Sequence, residues 1–234
     1  MTNEQISNLF KLMLDYIPPT LKIFGFTLLW SIPLGMIVAL LKMCKFKPVS
    51  WLTNVYILIM RGTPLLLQLF VAHYSVPYIR QWKGCPAFLH SLLDGIDIRS
   101  SSYTFNMILL AFALNYAAYF AEIFRGGIEA IPKGQYEAAG SLGFSRLQTF
   151  FRIILPQVIK RVVPASSNEI ITLVKDTSLA SAIPYMEIMY IAKKQVPTYA
   201  SLMPLFMAGV FYFVFATVLT LLFGYIEKKF NYYK

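Results

Sequence analysis

Runs of about twenty apolar residues decide what this chain can be, because a helix of that length crosses a hydrocarbon core about 30 Å thick. Four runs qualify: 21–41, which holds Pro33 and Gly35; 51–72, with Arg61 as its one charge; 103–124, with Glu122 near its end; and 202–226, without an ionisable group. A fifth, weaker run at 157–174 is interrupted by Pro164, Ser166, Ser167, Asn168 and Glu169. So polar a span is tolerated only against other helices or a watery cavity. Counting it gives an all-α, polytopic membrane protein with five transmembrane helices in one domain, 1–234. Composition agrees: 57% hydrophobic and 14% charged residues stand against about 45–50% and about 25% in soluble domains. That balance argues against a water-soluble enzyme, and two cysteines exclude a disulfide scaffold.

The net charge of +10 would suggest nucleic acid on a soluble chain, but on an apolar one it reads first as topology. Residues 1–19 carry Glu4 and Asp15 against Lys11, so no basic stretch precedes the first run and no cleaved signal is expected. Lys42, Lys45 and Lys47, six Lys and Arg between Arg125 and Arg161, and Lys228, Lys229 and Lys234 place twelve cations on one side, against seven on the other. With the acids counted, the sides carry +9 and +1, which predicts the N-terminus outside and the C-terminus in the cytoplasm. Lys22 and Arg61 lie within spans, and Glu122 and Glu169 are their expected counter-charges. Cys44 falls inside and Cys85 outside, so the two cannot pair within one chain.

The connection 125–156 is long for a linker and is expected to have structure of its own. Pro132 can open a short helix and Gly143 close it. Gln135, Ala138, Ala139 and Leu142 recur at helical spacing as a thin face that could enter a groove on a partner. Leu147, Phe150, Phe151 and Ile154 form a bulkier stripe at the same spacing, and Pro156 stops or kinks the chain. Periodicity alone fits two interfacial helices resting on lipid equally well.

The literal string is more specific. Glu137-Ala138-Ala139, then Gly143, nine residues, and Ile153-Ile154-Leu155-Pro156 resembles the EAA motif of ABC-importer membrane subunits. Arg61-Gly62-Thr63-Pro64-Leu65 with Gln68, the stretch from Tyr119 to Ile128, Ile131 to Gln135, Asn168-Glu169, and Leu173 to Leu179 look like the polar amino-acid permeases, of the histidine, glutamine and cystine type. The outer loop 75–101 matches no such pattern. The resemblance implies a type I ABC-importer transmembrane domain in the cell membrane, with a coupling helix docking in a cytoplasmic ATP-binding subunit dimer. It assigns that coupling to Glu137, Ala138, Ala139, Leu142, Gly143, Ile153, Leu155 and Pro156. It also implies ATP and Mg on the partner ATPase and no cofactor in this chain, an extracytoplasmic solute-binding protein, and an amino-acid substrate.

The polar residues within the spans are the candidates for a substrate pathway: Arg61, Thr63, Gln68, Glu122, Asn168, Glu169, Lys175 and Asp176. Arg61 lies roughly 15 Å into its run at about 1.5 Å per residue, and the Gly-Thr-Pro after it invites an unwound segment able to hold polar substrate. Arg61 either faces a substrate carboxylate or makes a structural ion pair with Glu122 or Glu169. Glu169 either faces an ammonium or a cationic side chain, or makes an interhelical hydrogen bond. Lys175 and Asp176 are either a gate pair or a solvated surface pair. His73 and His90 have no neighbours at ligand spacing, so no metal site is expected. The many aromatic residues fit interfacial belts better than base stacking, so no nucleic-acid partner is expected. Gly35 and Gly209 are expected at close helix contacts.

Without a Gly-Lys pair anywhere there is no phosphate-cradling loop, and no nucleophile elbow or zinc helix is present. Energy for a pump must therefore come from another chain, and five spans call for a second permease subunit, identical or homologous. The rivals are an ion-coupled secondary transporter, which would usually show internal repeats, and a membrane-embedded enzyme, which needs clustered catalytic groups. Neither feature is found. Which amino acid is carried is not written in any one pore residue.

Overall fold

The computed structural model describes residues 1–230, and helices make up its regular structure. They are α1 (Asn3–Leu14), α2 (Ile17–Lys42), α3 (Lys47–Gly62), α4 (Leu65–Gln81), α5 (Ala87–Asp94), α6 (Ser101–Glu129), α7 (Lys133–Ser141), α8 (Arg146–Thr149), α9 (Leu155–Asp176), α10 (Ile188–Tyr199) and α11 (Met203–Phe230). Three stretches are long and apolar enough to cross a membrane, Asn3–Lys42, Ser101–Glu129 and Met203–Lys229, and α3 with α4 makes a fourth if that bent pair counts as one span. α9 covers the fifth expected run as a continuous helix but is too polar to join that set. Lys234, counted above with the inner charges, lies outside the described residues.

α6 is the axis of the fold. Its N-terminus is capped by the Ser100 hydroxyl, which accepts from the Tyr103 amide, and α2, α3, α4 and α9 all pack against it. α2 offers it a stripe at helical spacing, Thr20, Ile23, Thr27, Ser31, Gly35 and Ala39, all buried. These are mostly small residues, which lets two helix backbones approach closely in a membrane. A Cβ on Gly35 would sit 2.6 Å from the Phe120 Cβ and 3.1 Å from the Ala117 carbonyl oxygen, so no side chain fits there. Gly127 repeats the device between α6 and α9, where a Cβ would meet Val162 at 2.5 Å. A Cβ on Gly209, by contrast, would meet nothing within 4 Å, because α11 leaves almost all of its apolar surface uncovered by this chain.

A second, smaller core joins α1, α10 and α11 through Leu9, Met13, Ile188, Ala192 and Ala208. Its polar pin is Glu187, fully buried, whose carboxylate accepts from the Met189 and Tyr190 amides and from the Tyr212 hydroxyl. Burial raises the Glu187 pKa above the ordinary carboxylate range, against the lowering pull of those three donors. α1 and α10 are absent from the sequence expectations, because each is only 12 residues long and neither makes a hydropathy peak.

The segment 75–101, expected as an outer loop, begins as helix, because α4 runs on to Gln81; the rest contains α5, with the Arg80 guanidinium donating to the carbonyls of Leu93 and Ile96 at its far end.

Candidate functional site: a polar pocket at a broken span

The second run breaks where its sequence says it must. Pro64 has no N–H to donate and disfavours helical geometry in the residue before it. Thr63 is accordingly extended (φ −117°, ψ 146°), and α3 and α4 meet at 106°. Each backbone group freed at membrane depth costs several kcal/mol if left bare, and a side-chain network answers the carbonyls here. Gln68 Nε2 donates to the Met60 carbonyl at 2.9 Å, the Thr63 carbonyl at 3.2 Å and the Thr63 hydroxyl at 2.8 Å. Asn115 Nδ2, from the middle of α6, donates to the Met60 carbonyl at 2.8 Å and to Gln68 Oε1 at 3.0 Å.

The break opens one wall of a cavity of about 490 Å³ lined by Arg61, Gly62, Thr63, Pro64 and Leu65, by Asn115, Tyr116 and Tyr119 of α6, and by Glu169, Thr172 and Asp176 of α9. Arg61, Thr63, Glu169 and Asp176 are thus brought together around one cavity. The Arg61 guanidinium lies over the Tyr119 ring, 5.1 Å from its centroid, and among the described residues it makes no ion pair with Glu169. Asp176 turns inward to accept from the Tyr116 hydroxyl at 2.7 Å; it is not paired with Lys175, which is exposed. The pocket therefore holds a cation at one wall and two carboxylates at another.

Other expected pathway residues lie elsewhere. Gln68 stands behind the pocket, as part of the network that holds it. Asn168 is exposed on α9 and does not line the cavity. Glu122 is not a counter-charge for Lys22 or Arg61: it pairs with Lys42 at 2.5 Å and with Arg125 at 2.6 Å, and Arg125 also pairs with Glu129. Lys22 instead lies over the Phe105 ring at 4.5 Å. Sequence reasoning missed Asn115, Tyr116, Tyr119 and Thr172. Asn115 was the one to notice, as a carboxamide in the centre of an apolar run.

The 125–156 segment forms the helix that Pro132 and Gly143 announce. α7 closes in a Schellman motif: the Gly143 amide donates to the Gly140 carbonyl at 3.0 Å and the Phe144 amide to that of Ala139 at 3.1 Å, with Gly143 at φ +77°. The expected thin face is divided, however. Ala139 is buried, while Gln135, Glu137, Ala138 and Leu142 are exposed, Leu142 to 75%. The bulkier stripe divides too, with Ile154 fully buried beside Ile131 and Val158 while Leu147 and Phe151 face out. The cause is a π turn over Phe150–Ile154, which adds a residue to one turn and rotates the helix beyond it. Pro156 explains the π turn: its ring would clash with a carbonyl four residues back. The wider turn is closed by the Leu155 amide donating to the Phe150 carbonyl, and the helix runs on into α9 rather than stopping. Ile153 and Leu155 are half-buried and Pro156 exposed.

Comparisons with known proteins agree with this architecture. Residues 31–232 match the family described as binding-protein-dependent transport system inner membrane component. An arginine transport system permease protein of Bacillus subtilis is 34% identical over 93% of this chain and 91% of its own length. An octopine transport system permease protein of Rhizobium meliloti is 38% identical over 92% and 84%. An L-cystine transport system permease protein of Bacillus subtilis is 41% identical over 71% and 62%. Among solved structures, the chain of an amino acid ABC transporter crystallised with histidines superposes with a TM-score of 0.80 at 30% identity, covering 98% of this chain and 99% of that one. An inward-facing methionine ABC transporter chain, at 15% identity and a TM-score of 0.65, shares the fold. The chain belongs to the binding-protein-dependent transport system inner membrane component family, as a multi-pass permease subunit of an ABC importer.

Proposed function

We propose that this permease subunit moves an amino acid inward across the membrane by alternating access, driven by a separate ATPase that engages α7. The observation that carries the reading is the pocket at the helix break, where Arg61 stands opposite Glu169 and Asp176. A zwitterion needs that pattern, an anion-binding group for its carboxylate and carboxylates for its ammonium or cationic side chain. The relatives named for arginine, octopine and cystine transport support the substrate class, and the pocket keeps polar, charged and cystine-like amino acids open. Arg61, Thr63, Glu169 and Asp176 form the pathway, with Gln68 and Asn115 holding its wall.

The reading takes the chain as one domain of five spans, with α9 as the polar fourth, the N-terminus outside and the C-terminus in the cytoplasm. The +9 side then carries α7. Glu137, Ala138, Leu142 and Gly143 meet a dimeric ATP-binding subunit that holds ATP and Mg, while Ala139, Ile153 and Leu155 seat α7 and α8 against the start of α9 and Pro156 sets the turn before it. A second permease subunit completes the pathway and an extracytoplasmic solute-binding protein delivers substrate. Amino-acid uptake into proteoliposomes holding the co-purified complex should require ATP. Uptake driven by a sodium or proton gradient with the ATPase absent would overturn the reading in favour of a secondary transporter.

A further inference from the structure

The geometry points to a binding site for the headgroup of an anionic glycerophospholipid in the cleft between the base of α3 and the end of α6. The cleft, about 380 Å³, is lined by Lys42, Cys44, Lys47, Ser50, Trp51, Asn54, Arg125 and Glu129. Lys42 and Arg125 are already tied to Glu122, and Arg125 also to Glu129, so those four charges cancel. Lys47 is left over: it is exposed, and its ammonium has no partner among the described residues. Arg125 Nε is buried in the same place without an acceptor. The cleft therefore carries one net positive charge and one exposed donor without an acceptor, Lys47, with the unpartnered Arg125 Nε buried behind it.

The depth of the remaining groups names the ligand. Lys47, Ser50, Trp51 and Asn54 share one face of α3, and Asn54 lies about 10 Å further along the helix than Lys47 at about 1.5 Å per residue. With the charged start of α3 taken at the phosphate level, Trp51, one turn further in and 67% exposed, falls at the interfacial position that indoles favour. Asn54 is exposed two turns beyond Lys47, a depth that on the same placement matches the ester groups, and its carboxamide has no partner among the described residues. A bare carboxamide facing hydrocarbon is costly; an ester carbonyl would satisfy it. A free phosphate would use Lys47 and leave Trp51 and Asn54 without a role. A choline or ethanolamine cation would be repelled by the net charge, which selects a lipid with an uncharged headgroup beyond its phosphate.

Trp51 reports the site directly. Trp30 and Trp82 are exposed, so replacing both by Phe in the full chain leaves Trp51 as the sole indole of this subunit. In vesicles of phosphatidylcholine with a minor share of brominated lipid, brominated phosphatidylglycerol should quench Trp51 more than brominated phosphatidylcholine, with an apparent preference of about fivefold for one added cation. Lys47→Gln should remove the preference, Asn54→Leu should weaken it, Lys229→Gln at the end of α11 should leave it intact, and excess soluble glycerol phosphate should not compete. Equal quenching by the two lipids would overturn the proposal. Competition by glycerol phosphate would do the same in favour of a soluble-anion site, and absence of quenching by either lipid in favour of a protein covering this face. The readout uses neither substrate nor ATP, so its failure leaves the transport reading standing.

Discussion

The break at Pro64 and the short helix α7 that comes after Pro132 are both interruptions that proline writes into the chain, and their backbone groups are satisfied in opposite ways. At Pro64, within a span, the carbonyls of Met60 and Thr63 are met by Gln68 and by Asn115, the latter 55 residues from Met60. At α7, outside the spans, the end closes on its own backbone through Gly140, Gly143 and Phe144. Water could have served α7's last carbonyls, whereas hydrocarbon offers nothing to those of the break. The pocket's shape is therefore a property of the whole bundle, and damage to it should register in stability. α7 folds locally, keeps Glu137, Ala138 and Leu142 exposed, and damage to it should register only when a partner is present.

The largest effect expected from this contrast is at Gly143. Its φ of +77° is in a region that costs an L-residue about 1–2 kcal/mol, roughly a factor of ten in an equilibrium. Gly143→Asp adds a charge beside exposed Leu142. Coupled uptake should be abolished while membrane insertion stays as in the wild type and the melting temperature of the isolated permease falls by no more than this strain sets, about 2–4 °C for each kcal/mol. Normal uptake at wild-type expression would remove the coupling role of α7. Asn115→Leu should behave in the reverse manner. It strips Gln68 Oε1 of its donor and leaves Met60 with one hydrogen bond, at a cost of about 1–3 kcal/mol. The isolated permease should then melt at a lower temperature by about 2–4 °C for each kcal/mol lost. An unchanged melting temperature would mean that the network does not hold the break.

Glu169 tests the pocket more finely. Glu169→Lys should change uptake rate or selectivity, with its greatest loss for cationic amino acids, and Glu169→Gln should do so to a smaller degree, while both leave the ATPase rate of the complex without substrate as in the wild type. Unchanged kinetics for both variants would return Glu169 to a structural role and leave Arg61 and Asp176 as the charged walls.

How much of the molecule is legible in the chain depends on the range of the interactions involved. Pro64 acts on its own neighbour, so the break is legible; so are Gly143 and the close approach at Gly35. The network is not local, and nothing in the pattern around Gln68 names Asn115. Counter-charges fail for the same reason: Lys42, one residue beyond the first run, reaches Glu122 at 2.5 Å, which spacing along the chain does not reveal. A π turn is invisible to a 3.6-residue period, so the stripe Leu147–Ile154 reads as one face when it is two. A Cβ on Gly209 would meet nothing within 4 Å among the described residues, and no reading of a single chain could supply a neighbour there.

Glu187 offers the smallest effect and a third way to satisfy a helix end. The N-terminal amides of α10 are met neither by a distant helix nor by their own backbone but by a buried carboxylate, which also takes the Tyr212 hydroxyl. Because burial raises its pKa in the folded chain, the folded state binds a proton more readily than the unfolded one. The contribution of this group to stability is then greatest below the ordinary carboxylate pKa and declines as pH rises through the raised folded value. Glu187→Gln keeps an oxygen for the amides and removes the titration. The difference in melting temperature between wild type and Glu187→Gln should therefore move in favour of the variant as pH is raised from acid to neutral, with all other carboxylates common to both. A constant difference across that range would show that the donors around Glu187 compensate its burial fully, and would place its cap with the self-contained end of α7 rather than with the bundle-dependent break at Pro64.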